Sequence, residues 1–312
     1  MTYTQDDPRS ALSATSATSA TSAKTPQRSG EAIAAPEFLD FSVTAPDAVT
    51  EAGSRQWIVR GQNFVLIHTQ PEPGDTIFSA ELESEQVVLL IDEHSSLRGS
   101  GSGEEHAVTG PALVVVPPGP SEIVSTGTGP IVQLIQSDEV EWAKRAVNAE
   151  RYAEPHPRVA PLEPWPEPVG GYRWRTYLMA DVPEDPRRFG RIFRTRAFMV
   201  GFFKPGDGPR DPRRLSPHTH DDFEQCSLVV AGTYIHHIQT PWGPDATAWR
   251  PEDHARVGSP SVAIIPPPTV HTSQAIGSGV NHLIDIFAGP RRDFSAQPGW
   301  VLNADEYPAP AN

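Results

Sequence analysis

The stretch DDFEQCSLVV, residues 221–230, has a counterpart 139 residues earlier in ESEQVVLLI, residues 83–91. Both place Glu-Gln at the head of an apolar run. The flanking segments pair off in the same order. FVLIHTQPEPGD (64–75) stands before the first copy and FMVGFFKPGD (198–207) before the second, each ending in Pro-Gly-Asp. ALVVVPPGPSEIV (112–124) and SVAIIPPPTVHTS (261–273) follow, each a β-branched run closed by prolines. GTGPIVQLI (127–135) and GSGVNHLI (277–284) complete the series. The offsets grow from 132 to 139 to 149 and then hold, as they would if a duplicated unit carried two longer loops in its second copy. Short β-branched strands separated by Gly/Pro turns predict an all-β chain of two sandwiches or barrels.

Composition agrees with that class. The 312 residues include 34 prolines and 24 glycines, which favour turns over long helices. A net charge of −14 repels phosphate backbones and argues against nucleic acid as a partner. No apolar run has the length to span a bilayer, and no secretory-type hydrophobic stretch is found, so no membrane partner and a cytoplasmic location are expected. The single cysteine, Cys226, excludes an intramolecular disulfide and is expected to pack as a small apolar residue.

Five segments follow along the chain. Residues 1–35, with the run SATSATSATSA, bury too little apolar surface to order and are predicted to form a disordered tail. Residues 36–145 form the first unit, 146–170 a proline-rich linker, 171–300 the second unit and 301–312 a C-terminal tail. Just before the linker, Val140, Trp142, Ala143, Ala146 and Val147 recur at helical spacing, which predicts one short packed helix capped by Ser137 or Asp138.

The chemistry concentrates in SPHTHDDFEQCSLVVAG (216–232). In a strand His218 and His220 project from one side with Cα atoms roughly 6.6 Å apart, close enough for two imidazoles to meet on one ion. Asp221-Asp222 suits a turn, after which Glu224 can bring a carboxylate back to the pair. His271, in the proline-closed run of the same unit, is the fourth candidate ligand. H-x-H alone is common on solvated strand edges; a histidine in the matching element of a duplicated β unit is what favours a metal.

With these residues in place, the chain resembles the cupins, and its repeat resembles a bicupin. The first cupin motif runs Gly, a spacer, H-x-H, three or four residues, Glu, six residues, Gly. His218, His220, Glu224 and Gly232 match it, although the last spacer is seven residues and the leading one is stretched. The second motif, P-x-G-x-x-H, is met by Pro266 to His271 with proline in place of the turn glycine, and Ala275 stands where asparagine is often found. The resemblance covers about residues 36–300 and implies two tandem cupin (double-stranded β-helix, jelly-roll) barrels. It also implies a divalent transition metal on His218, His220, Glu224 and His271, with iron preferred over zinc, manganese or nickel. Extended to the first unit, the correspondence puts Ser79, Glu81, Glu85 and Glu122 at the ligand positions, a poor transition-metal site, so that barrel is expected to be structural.

Other residues carry weaker expectations. One of His236 and His237 faces inward if their segment is a strand, and His282 lies in the last strand; these three are candidates for proton transfer. His68 and His94 are expected at the surface, and RDPRR (210–214) in solvent. The insertion 240–258 holds Trp242, Trp249 and Arg250 and reads as a lid or as a loop packed on the barrel wall. The leading functional expectation is a non-haem, dioxygenase-type oxidation of a small-molecule substrate. A Lewis-acid isomerase or lyase acting on a sugar or carboxylic acid, and a non-catalytic binding bicupin, are the alternatives. A homodimer formed through sheet faces is a further expectation, unless the two barrels of one chain already satisfy that pairing.

Overall fold

A computed structural model describes residues 32–101, 103–188 and 190–311; the predicted disordered tail lies outside them up to residue 31. The chain builds the expected all-β architecture of two tandem barrels. In the first, a sheet ordered Arg175–Leu178, Ala112–Val116, Gln86–Leu90, Ile131–Gln136, Phe64–Gln70, Arg55–Arg60 and Ala48–Val49 is paired with a smaller one. The smaller sheet runs Thr76–Leu82, Gly119–Ser125, Ser96–Gly101 and Glu104–Thr109. The second barrel repeats the plan with Glu37–Asp40, Ser261–Ile265, Gln225–Ala231, Val280–Ala288, Phe198–Phe202 and Arg191–Arg194. Its smaller sheet is Asp253–Val257, Tyr234–Gln239 and Val270–Ala275.

Strand register bears on the duplication. Val87 lies opposite Val115 and Leu134, as Cys226 lies opposite Ile264 and Ile286. The offsets 139 and 149 are therefore those of the sheets, while the last strand is displaced by 152.

The large sheets of the two barrels face each other. Val59, Leu66, Val87, Leu89, Leu113 and Val115 of the first share one buried cluster with Val200, Cys226, Leu228, Val262, Ile264 and Ile286 of the second. Alternation along each strand explains the split. On Gln225–Ala231, Cys226 and Leu228 point into this seam while Gln225, Ser227 and Val229 point into the barrel. Cys226 is fully buried in the seam, where burial holds its thiol well above the ordinary range. The interior of the first barrel is apolar, filled by Ile58, Val65, Ile67, Val88, Leu90, Val114 and Ile123 among others.

The barrels exchange edge strands, which departs from the sequence boundaries. Glu37–Asp40, assigned by sequence to the first unit, pairs with Ser261–Ile265 of the second barrel. Arg175–Leu178, assigned to the second, pairs with Ala112–Val116 of the first. Hydrophobic patterning locates a strand but not the sheet edge it joins. The linker is threaded against both barrels, with Tyr152, Val159 and Trp165 buried. The predicted helix shrinks to Val140–Ala143, and neither expected residue caps it, because the Ser137 hydroxyl donates to the Gln62 carbonyl at 2.7 Å instead. Ala143 and Ala146 pack inward, whereas Val140 and Val147 are exposed.

Candidate metal centre

His218 and His271 are brought face to face by two backbone hydrogen bonds, His271 N to His218 O at 2.8 Å and His218 N to His271 O at 3.0 Å. His220 follows two residues later on the same side. The three rings converge, with centroids 4.3 to 5.1 Å apart and one nitrogen from each within 4.8 Å of the others. All three are buried. It is the one such group of three or more histidine, cysteine or acidic side chains among the described residues.

Two of the rings are oriented for metal binding. His218 Nδ1 lies 3.0 Å from the Ser216 carbonyl and His271 Nδ1 lies 3.1 Å from the Thr269 carbonyl. A carbonyl only accepts, so each Nδ1 carries the proton and each Nε2 presents a lone pair to the centre. His220 is held neutral, its pKa driven well below 6.5 by burial first and then by the nearby Arg291 and the other two histidines. Two Nε2 lone pairs directed at the centre, with the ring of a third buried, neutral histidine beside them, suit a divalent transition metal.

Glu224 does not join them. Its carboxylate lies in the seam, accepting from the Gln62 backbone N–H at 2.6 Å and from the Tyr152 hydroxyl at 3.4 Å, with His156 Nδ1 at 3.4 Å. Gln225 faces the histidines instead. Its Oε1 stands 2.9 Å from His220 Nε2 and 3.3 Å from His271 Nε2. Its amide nitrogen donates to Asp285 Oδ1 at 3.0 Å and to Ser227 Oγ at 2.9 Å. The signal for this was present in the motif: counted from Gln225, the spacer to Gly232 is six residues and the spacer from His220 is four. Gly232 has φ +89°, and a Cβ there would lie 2.2 Å from Asn281 Oδ1, so the motif glycine is sterically required.

The first barrel is displaced by one residue from the expected correspondence. Ser79 pairs with Glu122, but both face solvent, as does Glu81. The neighbouring pair, Ala80 and Ser121, has the inward orientation, and the Gln86 amide reaches Ser121 Oγ at 3.0 Å. A one-residue slip moves every side chain to the other face. Glu85, in the place of Glu224, likewise points into the seam, where it accepts from the Tyr307 hydroxyl.

The remaining histidines separate clearly. His236 is fully buried in the second barrel, with Nδ1 2.9 Å from Ser273 Oγ and Nε2 lacking a hydrogen-bond partner. Burial, then His271 and His237, pull its pKa down to about 3. His237 turns outward to His254 and Gln274. His282 lies between the cavity-lining Asn281 and Leu283 and points to the opposite face. His94 is exposed as expected. His68 is not: it is buried between Phe41 and Trp57, its pKa lowered to about 4 by burial. Its strand is flanked on both sides, which places the ring in the packed seam.

A cavity of about 630 Å³ opens beside the histidines, with His218, His271, Gln225 and Asp285 in its wall. Arg188, Lys204, Arg210 and Arg214 also line it, with Asp207 and Asp211 among them, and Lys204 is paired with Glu184 at 2.7 Å. Arg210 and Arg214 belong to the run expected in solvent; Arg210 is instead tied to the Ser273 carbonyl and to Ser216 Oγ. The tryptophan insertion contributes nothing to this wall. Trp242 and Trp249 stack on each other at 4.7 Å and remain 75% and 44% exposed, and neither lines the cavity.

No family model matches the chain, and no curated protein matches it. Among solved structures it is similar to an oxalate decarboxylase–formate complex from Lactobacillus farciminis, with TM-score 0.55 and 14% identity over 84% of this chain and 88% of that one. It is also similar to AerE from Microcystis aeruginosa, with TM-score 0.50 and 9% identity over 83% of this chain and 99% of that one. At such identities the likeness is one of fold, and it agrees with the tandem cupin barrels expected from the motifs.

Proposed function

We propose that this tandem-cupin chain is a metal-dependent enzyme acting on a small organic anion in its second barrel. The observation that carries the reading is the joining of the three-histidine cluster to a cavity whose wall holds Arg188, Arg210 and Arg214 beside Lys204, set among Asp207, Asp211 and Asp285, in a protein whose net charge is −14. A divalent ion at the histidines would supply Lewis-acid polarisation of a substrate oxygen. His218 Nε2 and His271 Nε2 are aimed to hold it by their Nδ1–carbonyl bonds. Arg188, Lys204, Arg210 and Arg214 would draw in a carboxylate and orient it, since guanidinium groups pair well with carboxylates. His236, buried in the same barrel as His271, has an Nε2 without a hydrogen-bond partner among the described residues and would be the group to move a proton. A mixed nitrogen and oxygen donor set suits manganese, zinc or nickel as well as iron, so it gives no support to the preference for iron.

The reaction on the anion is proposed to be dioxygenase-type oxidation or decarboxylation. The test is to load the protein in turn with Fe(II), Mn(II) and Zn(II). Oxygen uptake and CO2 release are then followed against oxalate and a panel of two- to six-carbon hydroxy- and dicarboxylic acids. Metal-dependent turnover that is lost in His218→Ala/His220→Ala supports the reading. A protein that binds metal yet neither turns over nor binds any acid in the panel returns the chain to the non-catalytic alternative.

A further inference from the structure

We propose that Gln225, through its amide oxygen, is the fourth side chain of the metal centre, and that Glu224 belongs to the joint between the barrels. The assignment rests on the reading of the histidine cluster as a metal site.

The orientation of the amide is dictated by its neighbours. Asp285 Oδ1 accepts from both the Gln225 amide nitrogen and the Ser227 hydroxyl, at 3.0 and 2.7 Å. An oxygen that accepts from Ser227 and Gln225 alike faces the NH2 end of Gln225, which turns the carbonyl end to the histidines. The distances from Oε1 to the Nε2 atoms of His220 and His271, 2.9 and 3.3 Å, are those of neighbouring donors around one ion. Bonds of about 2.1 Å at right angles separate such atoms by about 3.0 Å. Three members of the set are held by partners that leave the donor atom pointing inward: Ser216 O for His218, Thr269 O for His271, and Asp285 with Ser227 for Gln225.

Glu224 is committed elsewhere. The backbone direction at Gln225–Ala231 sends residues 224, 226 and 228 into the seam, and a Cβ on Gly61 would lie only 2.6 Å from Glu224 Oε2, so the carboxylate fills that contact. Turning it to the histidines would break its bond to Gln62 N and reverse the strand's faces.

The consequence is electrostatic. Three imidazoles and an amide are neutral, so a bound divalent ion keeps both positive charges, where a glutamate would cancel one. Such a centre favours anionic ligands over neutral ones, and Arg210 and Arg214 in the cavity wall could pair with them.

Cobalt(II) is the probe, because its visible bands report the donor set independently of turnover. Wild type, Gln225→Ala, Gln225→Glu and Glu224→Gln are titrated with Co(II), and the fold of each is checked by near-ultraviolet circular dichroism. Expected is a ten- to hundredfold loss of affinity in Gln225→Ala, shifted bands with tighter binding in Gln225→Glu, and unchanged bands and affinity in Glu224→Gln. Gln225→Glu is nearly isosteric and keeps the test decisive if the alanine variant fails to fold. Unchanged bands in Gln225→Glu, or a tenfold loss in a folded Glu224→Gln, overturns the assignment. A wild type that takes up no Co(II), while folded, overturns the metal reading itself.

Discussion

The Tyr307 hydroxyl donates to Glu85 Oε1 at 2.8 Å across 222 residues of chain, and Tyr152 stands in the same relation to Glu224 at 3.4 Å. Each barrel thus sends the glutamate of its Glu-Gln pair into the seam, where a tyrosine from the segment following a barrel meets it. The paired glutamine goes the other way, into the barrel, where Gln86 meets Ser121 and Gln225 meets the histidines. The repeated dipeptide therefore serves two purposes on the two faces of one strand.

Removing the Tyr307 hydroxyl leaves a buried carboxylate oxygen without its donor. Tyr307→Phe should lower stability by about 1–3 kcal/mol in a denaturant titration. Metal affinity should be unaffected, since Glu85 lies in the first barrel.

Glu85 also gives a pH signature. Burial, the dominant cause, raises its pKa above the ordinary 4.5 against the lowering effects of Tyr307 and Arg175. A raised carboxylate contributes stability that is full below pH 4.5 and lost as pH rises through the folded pKa. The stability of Glu85→Gln relative to wild type should therefore improve between pH 4 and pH 7. Parallel melts across that range would show a flat or opposite trend if the carboxyl were not buried.

His156 titrates in the same sense, for a different reason. Its pKa is raised above 6.5, first by its hydrogen bond to Glu224 and against the lowering effect of burial. It should add stability below pH 6.5 that is lost as pH rises through the raised value. A proton-NMR titration should place it above 6.5, and Glu224→Gln should lower it, because the largest raising influence is then gone while burial still acts.

Metal should stabilise the fold through the three histidines. At free metal about 100 times Kd the gain is about 2.7 kcal/mol. Chelation should accordingly lower the melting temperature of wild type and leave His271→Ala unmoved, by differential scanning calorimetry.

The arginines in the cavity wall predict which variants lose substrate. Arg214→Gln and Arg210→Gln should each weaken binding of a small carboxylate about tenfold or more, the value of a charge-assisted hydrogen bond. Near-equal affinity in both, by isothermal titration, would show that the anion sits elsewhere. Arg210 also holds the Ser273 carbonyl, so Arg214 is the cleaner probe.

Much of the molecule is legible in the linear order of residues. Strand-forming runs, turns and the duplication follow from β-branched residues and Gly/Pro punctuation, because burying alternate faces of a strand is a local requirement. The three histidines follow too, since H-x-H and His271 fall in matching elements of a repeated unit and the barrel brings those elements together. What only the tertiary structure decided is the set of choices that local pattern leaves equal. The bend at Asp221–Asp222 resets the alternation, so whether Glu224 or Gln225 faces the histidines depends on which side of the following strand packs into the seam. The slip that turns Ser79, Glu81 and Glu122 to solvent has the same origin. Glu37–Asp40 and Arg175–Leu178 each join the other barrel because an edge strand can satisfy its hydrogen bonds on any sheet edge within reach. Arg210 and Arg214 of RDPRR line the cavity for a similar reason: charge makes them polar in any reading, and only the folded loop sets them beside the histidines.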